Sequence, residues 1–197
     1  MSSSPRGMDA LVFLNLSEGF MGIRNYLVEG VSCSGKTSVA TELQRQGYHA
    51  IHGDRELAYK GDPRTGLPLL EKLAEEMDLD FSFPHRHNLW RVEKLRALAA
   101  DQSRPATFFC GGARNFPAFI DLFDKVFILN LDKATLEKRL LCRPADEFGG
   151  KPEERGFILA LHESRQDVPT DGIVINSARP VRTIVAELLS YLTSEKL

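Results

Sequence analysis

The stretch Gly30-Val31-Ser32-Cys33-Ser34-Gly35-Lys36-Thr37 decides how the rest of the chain is read. It fits the pattern G-x-x-x-x-G-K-[ST], and each fixed position has a physical reason. Gly30 and Gly35 allow backbone torsions that turn successive N–H groups inward, forming a nest for anions. The Lys36 ammonium supplies a point charge for the β- and γ-phosphates of a nucleotide, and the Thr37 hydroxyl is placed to ligate Mg²⁺. Ser32, Cys33, Ser34 and Ser38 complete the expected phosphate-binding set. Tyr26-Leu27-Val28 reads as a buried strand just before the loop, and Ser38 to Gln46 as a helix just after it. That order sets the positive end of the helix dipole against the phosphates.

Outward from the loop, apolar strands alternate with helical patterns. His49 to His52, Ala106 to Cys110, Val126 to Leu129 and Gly172 to Ile175 read as strands two to five. Helical spacing is expected over Leu69–Met77, His85–Ala100, Asn115–Phe123, Lys133–Cys142, Glu153–Gln166 and Val181–Leu192. The alternation predicts an α/β domain around a parallel sheet of about five strands. Two helices fall between strands two and three, where a parallel crossover needs only one. The domain is expected to run from Met21 to Leu197, with residues 1–20 as an N-terminal extension.

Composition excludes several function classes. The chain has 197 residues, 43% hydrophobic and 26% charged, which suits one domain with an ample core. A net charge of −2 argues against a large electrostatic commitment to nucleic acid or anionic membrane. No apolar run approaches the length of a membrane span. Cys33, Cys110 and Cys142 lie far apart without metal or disulfide spacing, as expected of a reduced cytoplasmic setting. His85 and His87, at i and i+2, do not share a helix face, which argues against a metal site there.

Four places together make the chain resemble the P-loop small-molecule kinases of the adenylate, shikimate and gluconate kinase group. They are the loop itself, His52-Gly53-Asp54-Arg55 after strand two, Gly111-Gly112-Ala113-Arg114-Asn115 after strand three, and Arg139-x-x-x-Arg143. The resemblance spans about residues 24 to 195. It implies a three-layer P-loop NTPase fold with strand order 2-3-1-4-5. It also implies a helical acceptor-binding insertion at about residues 55–103 and a short lid at about 143–154.

The roles follow the chemistry of phosphoryl transfer, in which positioned cations and Mg²⁺ stabilise charge spread over the transferred group. Lys36, Asp54, Arg139 and Arg143 are the expected catalytic residues. Asp54 orients the acceptor hydroxyl and accepts its proton, and the two arginines share a helix face one turn apart. Asp54, Arg55, Trp90, Gly111, Gly112 and Arg114 are expected at the acceptor, Trp90 either as core or as a ring stacked on substrate. Arg139 and the turn Asn176-Ser177-Ala178-Arg179-Pro180, with Arg179, are expected at the nucleotide. No guanine signature appears, so ATP is favoured.

The resemblance has one departure. Nucleotide kinases often carry an aspartate at the end of strand three that places Mg²⁺ through water; here that residue is Cys110. The reading is therefore an ATP- and Mg²⁺-dependent phosphotransferase, monomeric or homodimeric. Its acceptor is a hydroxyl of a sugar acid, nucleoside or antibiotic-like metabolite. Alternatives are a nucleoside monophosphate kinase, disfavoured by Cys110, and a nucleotide-binding regulator or ATPase, which would need neither the inserted segment nor the glycine-arginine turn.

Overall fold

The computed structural model describes residues 24–70 and 80–193. Strand β1 (Arg24–Glu29) carries the run Tyr26-Leu27-Val28 into the middle of a sheet and ends on a buried glutamate. The phosphate loop follows and opens helix α1 (Lys36–Arg45). β2 (His49–His52) runs into a single helical turn, α2 (Gly53–Glu56), and a short strand, β3 (Ala58–Lys60). Another single turn, α3 (Phe83–Arg86), leads to strand β4 (Asn88–Trp90) and helix α4 (Val92–Ala99). Then come β5 (Ala106–Cys110), β6 (Lys125–Asn130), α5 (Lys133–Leu141), α6 (Pro152–Ser164), β7 (Ile173–Asn176) and α7 (Val181–Thr193).

The main sheet has five strands in the order β2-β5-β1-β6-β7, every pairing parallel. Counting only these strands, this is the expected order 2-3-1-4-5. Both faces are covered, which explains the unbroken apolar runs. Tyr26, Val28, Phe108 and Cys110 meet α1 and α7 on one face, where Val39, Leu43, Val185 and Leu188 are buried. Leu27, Ile51 and Phe109 point the other way, into a cluster with Leu95, Phe119 and Phe123. Successive residues of a strand alternate between the faces, so one continuous run fills both cores.

The region between β2 and β5 departs from expectation. In place of one helix from His85 to Ala100, the chain makes a single turn, a strand and then α4. β3 and β4 pair antiparallel, with Tyr59 opposite Leu89, as a separate two-stranded ribbon. Tertiary partners decide this. Asn115 clamps the backbone of Trp90, accepting from its N–H and donating to its carbonyl, each at 2.9 Å, and the Arg91 N–H donates to the Leu57 carbonyl. Helical spacing over residues 85–100 could not reveal partners so distant in sequence. Residues 115–123 likewise form two 3₁₀ turns (Phe116–Ala118 and Ile120–Leu122) rather than a helix. Pro117 lacks a donor there and Phe119 leaves the helical region at φ −152°. The expected helix over Leu69–Met77 and the N-terminal extension fall largely or wholly outside the described residues.

Candidate active site

β1 ends at the C-terminal edge of the sheet between β5 and β6, and the chain must turn sharply to enter α1. Gly30 (φ 152°) and Gly35 (φ 110°) take torsions that favour glycine, and Cys33 between them is left-handed at φ 65°. A side chain on Gly30 would also collide, at 2.6 Å, with the Leu129 carbonyl and the Ser34 hydroxyl. Lys36 Nζ donates to the carbonyls of Gly30 and, at 3.0 Å, Val31. The ammonium is thus held at the loop that it would serve.

A cavity of about 430 Å³ opens over this loop, bounded by Ser32 to Val39, Asp54, both arginines of α5 and its end, and Ser177, Arg179, Val181 and Ile184. Of the residues expected at the nucleotide, Ser32 to Ser38, Arg139, Ser177 and Arg179 line it, Gly30 lines the adjoining cavity, and Asn176, Ala178 and Pro180 line neither. The two arginines differ in their attachments. Arg139 donates to the carbonyls of Cys33 (3.2 Å), Ser34 (3.1 Å) and Ser177 (2.7 Å), tying the loop to the turn after β7. Arg143 lies 3.1 Å from Cys33 Sγ and pairs with Glu147, and its buried Nε has no partner among the described residues. Arg179 donates to the Asn176 carbonyl and pairs with Glu187.

A second cavity of about 220 Å³ adjoins the first, sharing Ser32, Lys36, Asp54 and Arg143 with it. Asp54 is therefore at the boundary. Its Oδ1 accepts from the Gly112 N–H at 3.0 Å, which joins the turn after β2 to the glycine turn after β5. Arg114 lines the second cavity; its Nη1 donates to the Asp167 carbonyl at 2.6 Å, and its buried Nε has no partner among the described residues.

Three residues expected at the acceptor, Trp90, Gly111 and Arg55, line neither cavity. Trp90 is fully buried and stacks on Phe119 with ring centroids 5.6 Å apart, so its ring is not available to a substrate. It is instead the floor beneath the two turns: a methyl on Gly53 would lie 2.1 Å from the indole, and one on Gly111 2.6 Å. The glycines are there so that the backbone can rest on tryptophan. Arg55, on the exposed turn α2, lines neither cavity.

Sequence reasoning missed Glu29, Lys60, His85, Asn88, Phe148 and Asp167, all in the second cavity. Burial pushes the Glu29 carboxyl up to about 8, against the opposing pull of Arg114, Lys36 and the Gly30 N–H, so it keeps its proton at neutral pH. Burial also raises Asp167, opposed chiefly by Arg114. His85 is lowered to about 3 by burial and then by the surrounding cations, and is neutral. Glu29 carried a readable signal, a charged residue closing an apolar strand just before the phosphate loop. Asp167 carried none, because it lies in the loop between α6 and β7, more than fifty residues from the arginine it meets (|i−j| = 53).

No family model matches the chain, and no curated protein matches its sequence. Solved structures match it in fold. A shikimate kinase from Bacteroides thetaiotaomicron aligns with a TM-score of 0.53 at 16% identity, over 86% of this chain and 98% of that one. A sugar kinase from Janibacter sp. HTCC2649 aligns with a TM-score of 0.50 at 18% identity, over 87% and 95%. The fold is that of the P-loop small-molecule kinases.

In this P-loop kinase fold the residues present fit a nucleoside triphosphate and Mg²⁺. The loop's two glycine torsions and the Lys36 ammonium form an anion cradle at the start of α1. The Thr37 hydroxyl and the Asp54 carboxylate line the same cavity and are hard oxygen donors, which Mg²⁺ takes together with water and phosphate oxygens. Cys110 adds no anionic ligand, because complete burial raises its thiol and keeps it protonated. Among the described residues no helix is long and apolar enough to cross a membrane.

Proposed function

We propose that the protein transfers the γ-phosphoryl group of Mg-ATP to a hydroxyl of a small molecule held in the second cavity. The observation that carries this reading is Asp54. Asp54 lines both cavities together with Lys36, and Arg114 lines only the second. A hydroxyl seated against Asp54 lies between a proton acceptor and the end of a triphosphate cradled by Gly30 to Thr37. In the reaction the acceptor oxygen bonds to the γ-phosphorus as the bond to the bridging oxygen breaks. ADP leaves, and the hydroxyl proton passes to the Asp54 carboxylate and on to water.

The remaining groups manage charge. Lys36 exchanges its bonds to the Gly30 and Val31 carbonyls for phosphate oxygens. Arg143 lines both cavities and has an unpartnered buried Nε, which suits a cation that meets the transferred group. Arg139 spends its donors on three carbonyls and acts as a positioning residue for the loop. Thr37 would help hold Mg²⁺, which would supply neutralisation of phosphate charge. Residues 143–154 would serve as the lid, and the described residues of the insertion, 55–70 and 80–103, as the acceptor wall, excluding water as a competing acceptor.

The test is coupled ADP release with Mg-ATP against sugars, sugar acids, nucleosides, nucleotides and aminoglycosides, with phosphorylated product identified by mass. Acceptor-dependent ADP release that disappears in Lys36→Ala is the expected result. Turnover only in the absence of acceptor would leave an ATPase, and turnover chiefly with nucleoside monophosphates would replace the acceptor class.

A further inference from the structure

The ribbon of β3 and β4, which helical spacing did not foretell, brings a cation into the second cavity. Lys60, the last residue of β3, lines this cavity and not the nucleotide cavity. Its Nζ donates to the neutral Pro84 carbonyl at 2.6 Å, and among the described residues no carboxylate forms an ion pair with it. Burial lowers its pKa, with Asp54 opposing. The ribbon also sets Lys60 near Arg114. Asn88 stands opposite Lys60 in the β3–β4 register. The Asn88 main-chain carbonyl accepts from the Arg114 N–H at 2.9 Å, and its side-chain amide donates to the Gly112 carbonyl at 2.7 Å. Directly opposed residues of an antiparallel pair hold their Cβ atoms about 4.5–5.5 Å apart, so Asn88 bridges the short span between the two cations.

The other charges of the cavity have partners or other tasks. Lys36 and Arg143 also line the nucleotide cavity, where the kinase reading gives them phosphates. Glu29 keeps its proton, and Asp54 stands on the boundary with the nucleotide. Asp167 Oδ2 faces His85 Nε2 at 3.8 Å and Arg114 Nη1 at 3.9 Å. Lys60 is the charge left over on the acceptor side. Arg114 adds donors to it. Its Nη1 is taken by the Asp167 main-chain carbonyl, but its buried Nε has no partner among the described residues, and its Nη2 lies 3.4 Å from where a methyl on Gly112 would sit. Nε and Nη2 form the edge of a guanidinium that takes two oxygens of one oxyanion in parallel. A buried donor without an acceptor is destabilising, and an oxyanion seated there satisfies it. At about 220 Å³ the cavity is smaller than the roughly 300–1,000 Å³ of drug-sized sites, which restricts the acceptor to a compact molecule.

We propose that Lys60 is a specificity-determining residue, which with Arg114 seats one oxyanion, a carboxylate or a phosphate, of a compact hydroxylated acceptor. The hydroxyl of that molecule is then the group presented to Asp54. The proposal rests on the kinase reading for the word acceptor, but the selection belongs to the cavity and is measurable as binding.

The experiment uses matched triads on the full chain: glycerol, glycerate and glycerol 3-phosphate; sorbitol, gluconate and sorbitol 6-phosphate. Saturation-transfer NMR with a non-hydrolysable ATP analogue reads binding, and coupled ADP release reads kcat and KM. In the best-bound triad an anionic member should exceed the neutral one by about tenfold or more, and which anion leads tells carboxylate from phosphate. Lys60→Met keeps the apolar stem and removes the charge. It should narrow the ratio of anionic to neutral binding by about tenfold, with the loss in acceptor KM rather than in kcat. Lys60→Arg should keep the anionic preference, and Lys60→Glu should reverse it. A wild type that binds the neutral member as well as either anion, a ratio unmoved by both Lys60→Met and Lys60→Glu, or no binding by any anionic member would overturn the proposal. If anions bind selectively but none is phosphorylated, the kinase reading fails and the selection stands. If neutral members are phosphorylated in preference to anions, the kinase reading stands and the selection fails.

Discussion

Asp54 and Glu29 are two carboxyls of the same site whose environments set them to different work. Asp54 is exposed at the cavity boundary and is the proposed proton acceptor. Asp54→Asn keeps the shape but cannot take the hydroxyl proton. It should lower kcat by roughly 10²–10⁴ while the KM for ATP stays close to wild type; steady-state kinetics check this, and an unchanged kcat would remove Asp54 from the role. Glu29 is 1% exposed, and the folded state holds its proton more tightly than the unfolded chain does, about 8 against 4.5. Its contribution is therefore fully present below pH 4.5 and is lost as pH rises through 8. Glu29→Gln removes the titration. Urea denaturation at several pH values should show the variant gaining on the wild type across that window, by at most roughly 3–5 kcal/mol. A stability difference that does not change with pH would contradict the assignment.

At the scale of elements, the turns after β2 and β5 are set by what lies beneath them. Gly53 and Gly111 rest on the Trp90 indole, and Trp90 is held by Asn115. Gly53→Ala forces the turn off its support and should cost about 1–3 kcal/mol by urea midpoint, while raising the acceptor KM through the displacement of Asp54. Gly53→Ala combined with Trp90→Phe should be less destabilised than the sum of the two single changes, because the smaller ring vacates the space the methyl needs. Strict additivity would show that the two do not share that contact. Arg139 binds across elements in the same way, from α5 to the phosphate loop and to the turn after β7.

Across the whole molecule, the segment before β4 meets the segment before and within α6. The His85 ring stacks on Phe148 at 6.2 Å and meets Phe157 edge-on at 5.3 Å, and Phe81 meets Phe157 at 6.0 Å. Of these rings, His85 and Phe148 line the second cavity. In the proposed kinase reaction this contact would keep water from the phosphoryl group while an acceptor is seated. Phe148→Ala should raise the ratio of acceptor-independent to acceptor-dependent ADP release by several-fold, on the order of 3–10. An unchanged ratio would show that the ring does not guard the cavity.

The sequence by itself determined the phosphate loop of this protein. Gly30, Gly35, Lys36 and Thr37 are local: a turn, a charge and a helix start within eight residues need no distant partner to be read. The apolar runs alternating with helices made the parallel sheet legible, whereas its strand order was implied only by the family resemblance that the motifs carry. The second cavity was decided by tertiary structure. Trp90 became a floor because Asn115 and two glycines from other segments converge on it. Arg114 Nη1 meets the Asp167 main-chain carbonyl, fifty-three positions on, and nothing in either residue's neighbourhood along the chain announces the other. Charge in a sequence gives the number of cations and anions, whereas only packing determines which of them neutralise each other and which remain to meet a substrate.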